Sequence, residues 1–210
     1  MSRRDVARQG EPGDLSGFPT RRLTTRRGWS RCHRIVNGAW FFSSATRPGV
    51  GGRWDLPRPD GTCYVAADDM GAFMEAFGPE ILDQGFVLSS EIAARAITRL
   101  KLPEPHVVAD LSDDDVSTFG VTSELTGAVS YEMTQRWAAT WHQVGCEGVV
   151  YGLRFRPNCE GLGLFGAAGP RDWPTDAAGR QPREVARRLK VRVVEPDDIG
   201  SLSDFQVVEP

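Results

Sequence analysis

Lysine is almost missing from this chain: Lys101 and Lys190 stand alone among 25 basic residues, and arginine supplies the rest. Alongside 23 glycines and 14 prolines, that balance is the mark of a GC-rich coding bias, which explains many arginines without any function. Histidine is as sparse, with His33, His106 and His142 scattered along the chain and read as structural. The four cysteines, Cys32, Cys63, Cys146 and Cys159, form no C-x-x-C pair and have no histidine at ligand spacing. No metal site and no disulfide framework is therefore expected. No apolar run nears the ~20 residues of a membrane span, and the arginine-rich start lacks the apolar h-region of a signal peptide. A cytoplasmic location is the expectation. The net charge of -3 gives no global pull toward DNA or an anionic membrane, so direct nucleic-acid binding is not expected. What is present is a chain of 210 residues, 40% apolar, enough for one domain with a real core and short for two.

Residues 1–30 carry Arg3, Arg4, Arg8, Arg21, Arg22, Arg26 and Arg27 against only Asp5, Glu11 and Asp14. So charged a segment, with so little apolar surface, is expected as a disordered tail. It has no aromatic stacking pattern to make it a nucleic-acid arm. The domain is placed at 31–200, followed by a tail at 201–210.

Within it, CHRIV from Cys32 alternates like a strand, and WFFSS at 40–44 is a short strand or an apolar turn. RPGVGGRWDLPRPDG is too rich in Gly and Pro for regular structure and reads as a loop. TCYVAA at 62–67 is a strand, and Asp68 or Asp69 caps a helix over roughly 69–77 that stops at Gly78-Pro79. Met70, Phe73, Met74 and Phe77 form its core-facing stripe, and Glu75 lies off it. Ser89 or Ser90 caps a short helix over EIAARAITRL, with a strand near its end as the alternative. HVVADL is a buried strand, and DDD after it an acidic turn.

The clearest helix is 131–144, N-capped by Ser130, with Met133, Trp137, Trp141 and Val144 on one stripe and Gly145 ending it. GVVYGLRF and LGLF are strands, 166–182 is a loop, and LKVRVVEP is a last strand. Strands and helices interleave without βαβ regularity, and no G-x-G-x-x-G opens a helix. The expectation is a mixed α+β fold of small sheets with packed helices.

Arg53, Tyr64 and Glu75 recur at equal intervals inside the motif-rich stretch 51–78. Each has a plain structural reading: surface arginine, core tyrosine, solvated helix glutamate. The order of the wider features argues otherwise. HRI around Arg34, Phe42, GGRWD-x-P, G-T-C-Y-V-A, A-F-M-E, V-A-D-L, Y-E-M-T-Q-R-W-A, G-V-V-Y-x-x-R and G-L-F follow one another over about 31–166. This succession resembles the RES-domain family, many of whose members are toxins of bacterial toxin–antitoxin pairs.

The resemblance implies an ADP-ribosyltransferase-like fold and consumption of NAD⁺ as a substrate, with no permanent cofactor. It assigns Glu75 to the ribosyl cation, Arg34 and Arg53 to the pyrophosphate, and Tyr64 to the nicotinamide ring. It also implies a DNA-binding antitoxin as partner. Oligomeric state, a homodimer included, is left open. In one place the sequence departs from the family: in Tyr151-Gly152-Leu153-Arg154, Leu153 occupies the position of the family's serine, which belongs to the nicotinamide–phosphate site. Leucine offers no hydrogen bond, so a RES-like domain that binds NAD⁺ or a protein partner without chemistry stands as the alternative.

Overall fold

The computed structural model describes residues 9–127 and 130–198. Its frame is one eight-stranded sheet, made in chain order by β1 (Thr20–Leu23), β2 (Gly28–Arg34), β3 (Asp60–Ala66), β4 (Arg95–Lys101), β5 (His106–Asp110), β6 (Gly148–Leu153), β7 (Arg156–Ala167) and β8 (Ala177–Ala178). Across the sheet the order is β1-β5-β6-β7-β3-β2-β4-β8. Only β5 and β6 run parallel to each other in this sheet. The helices are α1 (Asp69–Gln84), α2 (Ser89–Ala93), α3 (Ser123–Gly127), α4 (Glu132–Gln143) and α5 (Pro182–Arg188). This is the expected α+β class.

Period-two alternation explains how the sheet is buried on both faces. On β6, Val149, Tyr151 and Leu153 join a core with Trp54, Trp137 and Trp141, while Val150 joins Trp29, Leu100 and Leu162 on the other side. A strand covered on both faces reads as the nearly unbroken apolar run GVVYGL. Trp137 and Trp141 of α4 are fully buried, each worth about 2 kcal/mol or more of burial. On α1, Phe73 and Phe77 pack with Ile97 of β4 and Val185 of α5.

The arginine-rich start departs from the expected tail. Leu15 and Phe18 are buried, and Thr20–Leu23 pairs with β5. Arg21 holds Asp110 through two bonds of 2.7 and 2.9 Å and reaches Glu160 at 2.7 Å. Arg27 pairs with the same Glu160 at 2.5 Å. Composition counts these arginines as surplus charge; the fold gives them carboxylates on β5 and β7. Order thus begins ahead of residue 31. Residues 1–8 and the expected tail at 201–210 lie outside the described residues.

Helix ends differ as well. Asp68 caps α1 by accepting from the Gly71 N–H at 2.7 Å, but the helix passes through Pro79 and closes at Gly85, whose φ is 74°. The stripe explains the extension, because Ile81 continues it against the Phe73–Phe77 cluster. Pro79 has no N–H, so the Glu75 carbonyl loses its helical partner. At α4 the cap is Tyr131 rather than Ser130, and its side chain makes no capping hydrogen bond. Val144, expected in the stripe, is 53% exposed. Between the expected loop at 166–182 and the expected last strand lies α5, with Pro182 in its first turn.

Candidate active site

The site begins where the sheet fails to close. β2 follows β4 through seven paired residues, and β3 follows β7 through seven, but β2 and β3 pair only at Ser30 and Ala66. From that single pairing the two halves of the sheet diverge. The notch between them, roofed by α1 and by the loop before β3, is a cleft of about 380 Å³, within the ~300–1,000 Å³ of small-molecule sites.

The loop carrying Arg53 is held by a buried carboxylate. Asp55, 1% exposed, accepts from the Gly52 N–H at 2.7 Å, the Tyr64 hydroxyl at 2.8 Å and the Ser43 hydroxyl at 2.9 Å. Tyr64 in turn accepts from the Trp54 N–H at 2.8 Å. A Cβ at residue 52 would stand 2.5 Å from the Tyr64 oxygen, so only glycine fits there. From the other side, the Thr134 hydroxyl of α4 donates to the Arg53 carbonyl at 2.6 Å, and the Gln135 amide donates to the Gly52 carbonyl at 3.0 Å. These bonds give the G-R-W-D run a physical reason: glycine for close approach, tryptophan for the core, aspartate to tie the turn, and arginine left over to face the cleft. Tyr64 lines the cleft, but its hydroxyl is committed to the loop. Burial first, then Asp55, pushes that phenol well above its ordinary pKa.

Arg53 is 7% exposed, yet it is poorly partnered. Among the described residues its guanidinium makes one hydrogen bond, to the Leu125 carbonyl, long at 3.5 Å, and it lies 5.4 Å from the Tyr131 ring centre. Glu75 enters from α1. Gly71, Glu75 and Gly78 fall at i, i+4 and i+7 on one face, and a Cβ on either glycine would strike the β6–β7 hairpin: Cys159 and Leu153 at residue 71, Phe155 at residue 78. The two glycines let α1 settle on the hairpin and bring Glu75 to Tyr151. The Tyr151 hydroxyl, on a side chain 2% exposed, donates to Glu75 Oε1 at 3.1 Å. Glu75 Oε2 is buried and has no hydrogen-bond partner among the described residues. Burial raises the Glu75 pKa above the usual carboxylate range, partly offset by the Tyr151 bond and the Arg53 charge.

The cleft therefore brings together three of the expected residues, Arg53, Tyr64 and Glu75. Two others lie elsewhere. Arg34 is not among the cleft residues; its side chain is 49% exposed and pairs with Glu91 at 3.2 Å. Leu153 is buried in the core at 1% exposure, and the cleft is lined instead by the next two residues, Arg154 and Phe155. Sequence reasoning missed Asp55 and Tyr131, and it used Tyr151 only to locate the serine position. A lone tyrosine in an otherwise apolar strand was the available signal. Cys32 also lines the cleft. Its thiol is pushed up to about 12 by burial, against the pull of Arg95 and Arg31, so it stays protonated and is a poor nucleophile.

The RES-domain family model matches residues 30–189. The chain belongs to the RES-domain family. Its structure is similar to a chain of the M. tuberculosis MbcT–MbcA toxin–antitoxin complex, with a TM-score of 0.58 and 14% identity over 82% of this chain and 91% of that one. The likeness is one of fold, and the α+β architecture is the class the sequence led us to expect. No curated protein matches the chain.

Proposed function

We propose that this RES domain consumes NAD⁺ by breaking the bond between nicotinamide and ribose, and that it acts as the toxin of a toxin–antitoxin pair. The observation that carries the reading is the carboxylate of Glu75, half-buried at the cleft, held at one oxygen by Tyr151 and, among the described residues, unpartnered at the other. As the glycosidic bond breaks, its electron pair passes to the pyridinium nitrogen, which becomes neutral, and positive charge builds on the ribose. An ionised Glu75 in a poorly hydrated cleft stabilises that charge more strongly than it would in water. Arg53, buried without a carboxylate partner, binds anionic or carbonyl oxygens of the ligand. The ring of Tyr64 forms part of the wall, and its hydroxyl holds the Arg53 loop.

The acceptor is water, phosphate or a protein side chain; each attacks the ribosyl carbon and gives up a proton. A protein antitoxin, DNA-binding as in the family, is the proposed partner, and the similar solved chain comes from such a toxin–antitoxin complex. Among the described residues no helix is long and apolar enough to cross a membrane, in keeping with action on the cytoplasmic NAD⁺ pool.

A second reading has one observation in its favour. Leu153 faces the core, so no hydroxyl is offered at the family's serine position, and the domain would then bind NAD⁺ or a partner without turnover. The deciding experiment follows nicotinamide release from NAD⁺ with and without phosphate, beside Glu75→Gln. Release that disappears in the variant supports the enzyme. Binding of NAD⁺ without release, lost in Arg53→Ala, favours the second reading.

A further inference from the structure

A dinucleotide is long and carries two separate bases, and the cleft described above is small for both. Beside it lies a second groove of about 410 Å³. Arg95 lines both. The groove has apolar walls from Ile35, Ile92, Ala96 and Pro182, with Ser89 and Gln181 as polar points. Apolar walls with a few fixed hydrogen-bonding groups suit a flat heteroaromatic base.

The junction between the two is positively charged. Arg34 on β2 stands in register opposite Arg95 on β4, and like charges directly opposite across strands repel. Glu91 is 3.2 Å from Arg34 and 3.8 Å from Arg95, so one carboxylate serves two guanidiniums. Arg95 lies 5.0 Å from the Phe77 ring centre, and its Nε is buried without a hydrogen-bond partner among the described residues. A buried donor lacking an acceptor is unfavourable until one arrives. An anion at this point would satisfy the donor and relieve the repulsion.

We propose that the second groove binds the adenosine half of the dinucleotide, with Arg95 at the junction receiving a phosphate. This rests on the dinucleotide reading of the cleft and extends it: the nicotinamide–ribose end lies by Glu75, and the chain of the ligand crosses Arg95 into the groove. Arg34 then borders the ligand path from outside the cleft.

The test is calorimetric binding of AMP, ADP-ribose, nicotinamide mononucleotide and inorganic phosphate to the whole chain. Ala93 lines the groove and is exposed at the end of α2, so Ala93→Trp blocks the groove and leaves the core alone. Ala93→Gln is a milder block, and Arg95→Met removes charge while keeping bulk over Phe77. Thermal unfolding checks that each variant is folded. Ala93→Trp is expected to weaken AMP and ADP-ribose at least 10-fold while leaving nicotinamide mononucleotide within about two-fold. Arg95→Met is expected to weaken ADP-ribose by about 10- to 100-fold, the loss of one charge-assisted bond.

Unchanged ADP-ribose affinity in folded Ala93→Trp overturns the proposal, as does a wild-type protein that binds neither AMP nor ADP-ribose. Inorganic phosphate binding as tightly as AMP in an Arg95-dependent way overturns the adenosine assignment. NAD⁺ turnover is scored separately. Groove-dependent AMP binding without turnover keeps the groove and removes the proposed reaction. Turnover whose KM ignores both variants keeps the reaction and removes the groove.

Discussion

The Tyr151 hydroxyl sits 3.1 Å from Glu75 Oε1, while Oε2 of the same carboxylate is buried and unpartnered. One oxygen is held by the protein, and the other has no partner among the described residues. Tyr151 is itself held by an edge contact with Trp54, at 5.5 Å between ring centres, so the donor is pinned by the core. Removing it by Tyr151→Phe keeps the ring packing and takes away one hydrogen bond to the ionised acid. That raises the Glu75 pKa further. We expect kcat for NAD⁺ loss to fall by about 10-fold or more, the worth of a charge-assisted bond, and the acid limb of the pH profile to move to higher pH. A pH–rate profile of the variant checks both.

Glu75→Gln separates function from stability. Burial holds the Glu75 pKa above the usual range, so the folded state binds this proton more tightly than the unfolded chain. The stability attached to that proton is fully present at low pH and is lost as pH rises through the folded pKa. Above the folded pKa the wild type carries an unfavourable buried charge that glutamine lacks, while glutamine still accepts from Tyr151. The variant should melt higher than wild type at pH 7, and the gap should close on acidification below the carboxylate range. Its turnover should drop by about 100-fold or more, as for loss of a preorganised charge stabiliser. Unfolding curves at pH 7 and pH 4, set beside NAD⁺ consumption, test the pair of effects.

Tyr64→Phe probes the loop. The hydroxyl accepts from Trp54 N–H and donates to Asp55, and losing it leaves a buried carboxylate oxygen short of a donor. The expected cost is about 1–3 kcal/mol, or a fall in melting temperature of roughly 2–4 °C per kcal/mol for a chain of this size. Because Arg53 rides on that loop, KM should rise more than kcat falls. A variant with unchanged stability and a reduced kcat alone would mean that the hydroxyl acts on the substrate instead.

What the sequence shows and what it hides divide along a physical line. Arg53, Tyr64 and Glu75 were legible because the motif that carries them is local: a glycine-flanked loop, a strand and a helix in immediate succession. Arg34 was placed in the site by a motif match, but its neighbours on β4 and α2 turn it toward Glu91, and no local pattern contains that information. The pairings of the N-terminal arginines are hidden in the same way, since Asp110 and Glu160 lie far off in sequence from Arg21 and Arg27. Asp55 stands in the sequence only as part of the G-R-W-D run, and its three donors come from three separate segments. Local signals locate the elements; the partners that give each residue its role are long-range.

Asp69 ties the elements around the cleft and should show it in acid. It is 1% exposed, accepts from the Ser30 hydroxyl at 2.6 Å and the Arg180 N–H at 3.1 Å, and lies 3.3 Å from Arg99. Burial opposes its charge, but the Ser30, Arg180 and Arg99 contacts win and hold its pKa below the ordinary value. Its stabilisation is present above the unfolded pKa and is lost as pH falls through the folded one. Asp69→Asn should cost about 1–3 kcal/mol at neutral pH, less than a fully buried ion pair because both arginines reach solvent. The cost should shrink as pH falls below the ordinary carboxylate value and vanish below the depressed folded pKa, where the wild-type acid is also neutral. Denaturant unfolding across pH 3–7 reads this directly.

Gly78 offers the sharpest contrast between local and tertiary readings. By local rules Gly78-Pro79 ends the helix, and an alanine inside a helix would be favoured over glycine by about 1 kcal/mol. In the fold, Gly78 lies within α1, is buried, and a Cβ there would overlap Phe155 of the hairpin turn. Gly78→Ala should therefore destabilise the protein by about 1–3 kcal/mol, the usual scale of overpacking. It should also lift α1 away from Tyr151, lowering turnover although residue 78 touches no substrate. If the contact decides, shortening the neighbour in the double variant Gly78→Ala with Phe155→Ala should recover part of the lost activity relative to Phe155→Ala alone. A stabilised Gly78→Ala would instead restore the local reading.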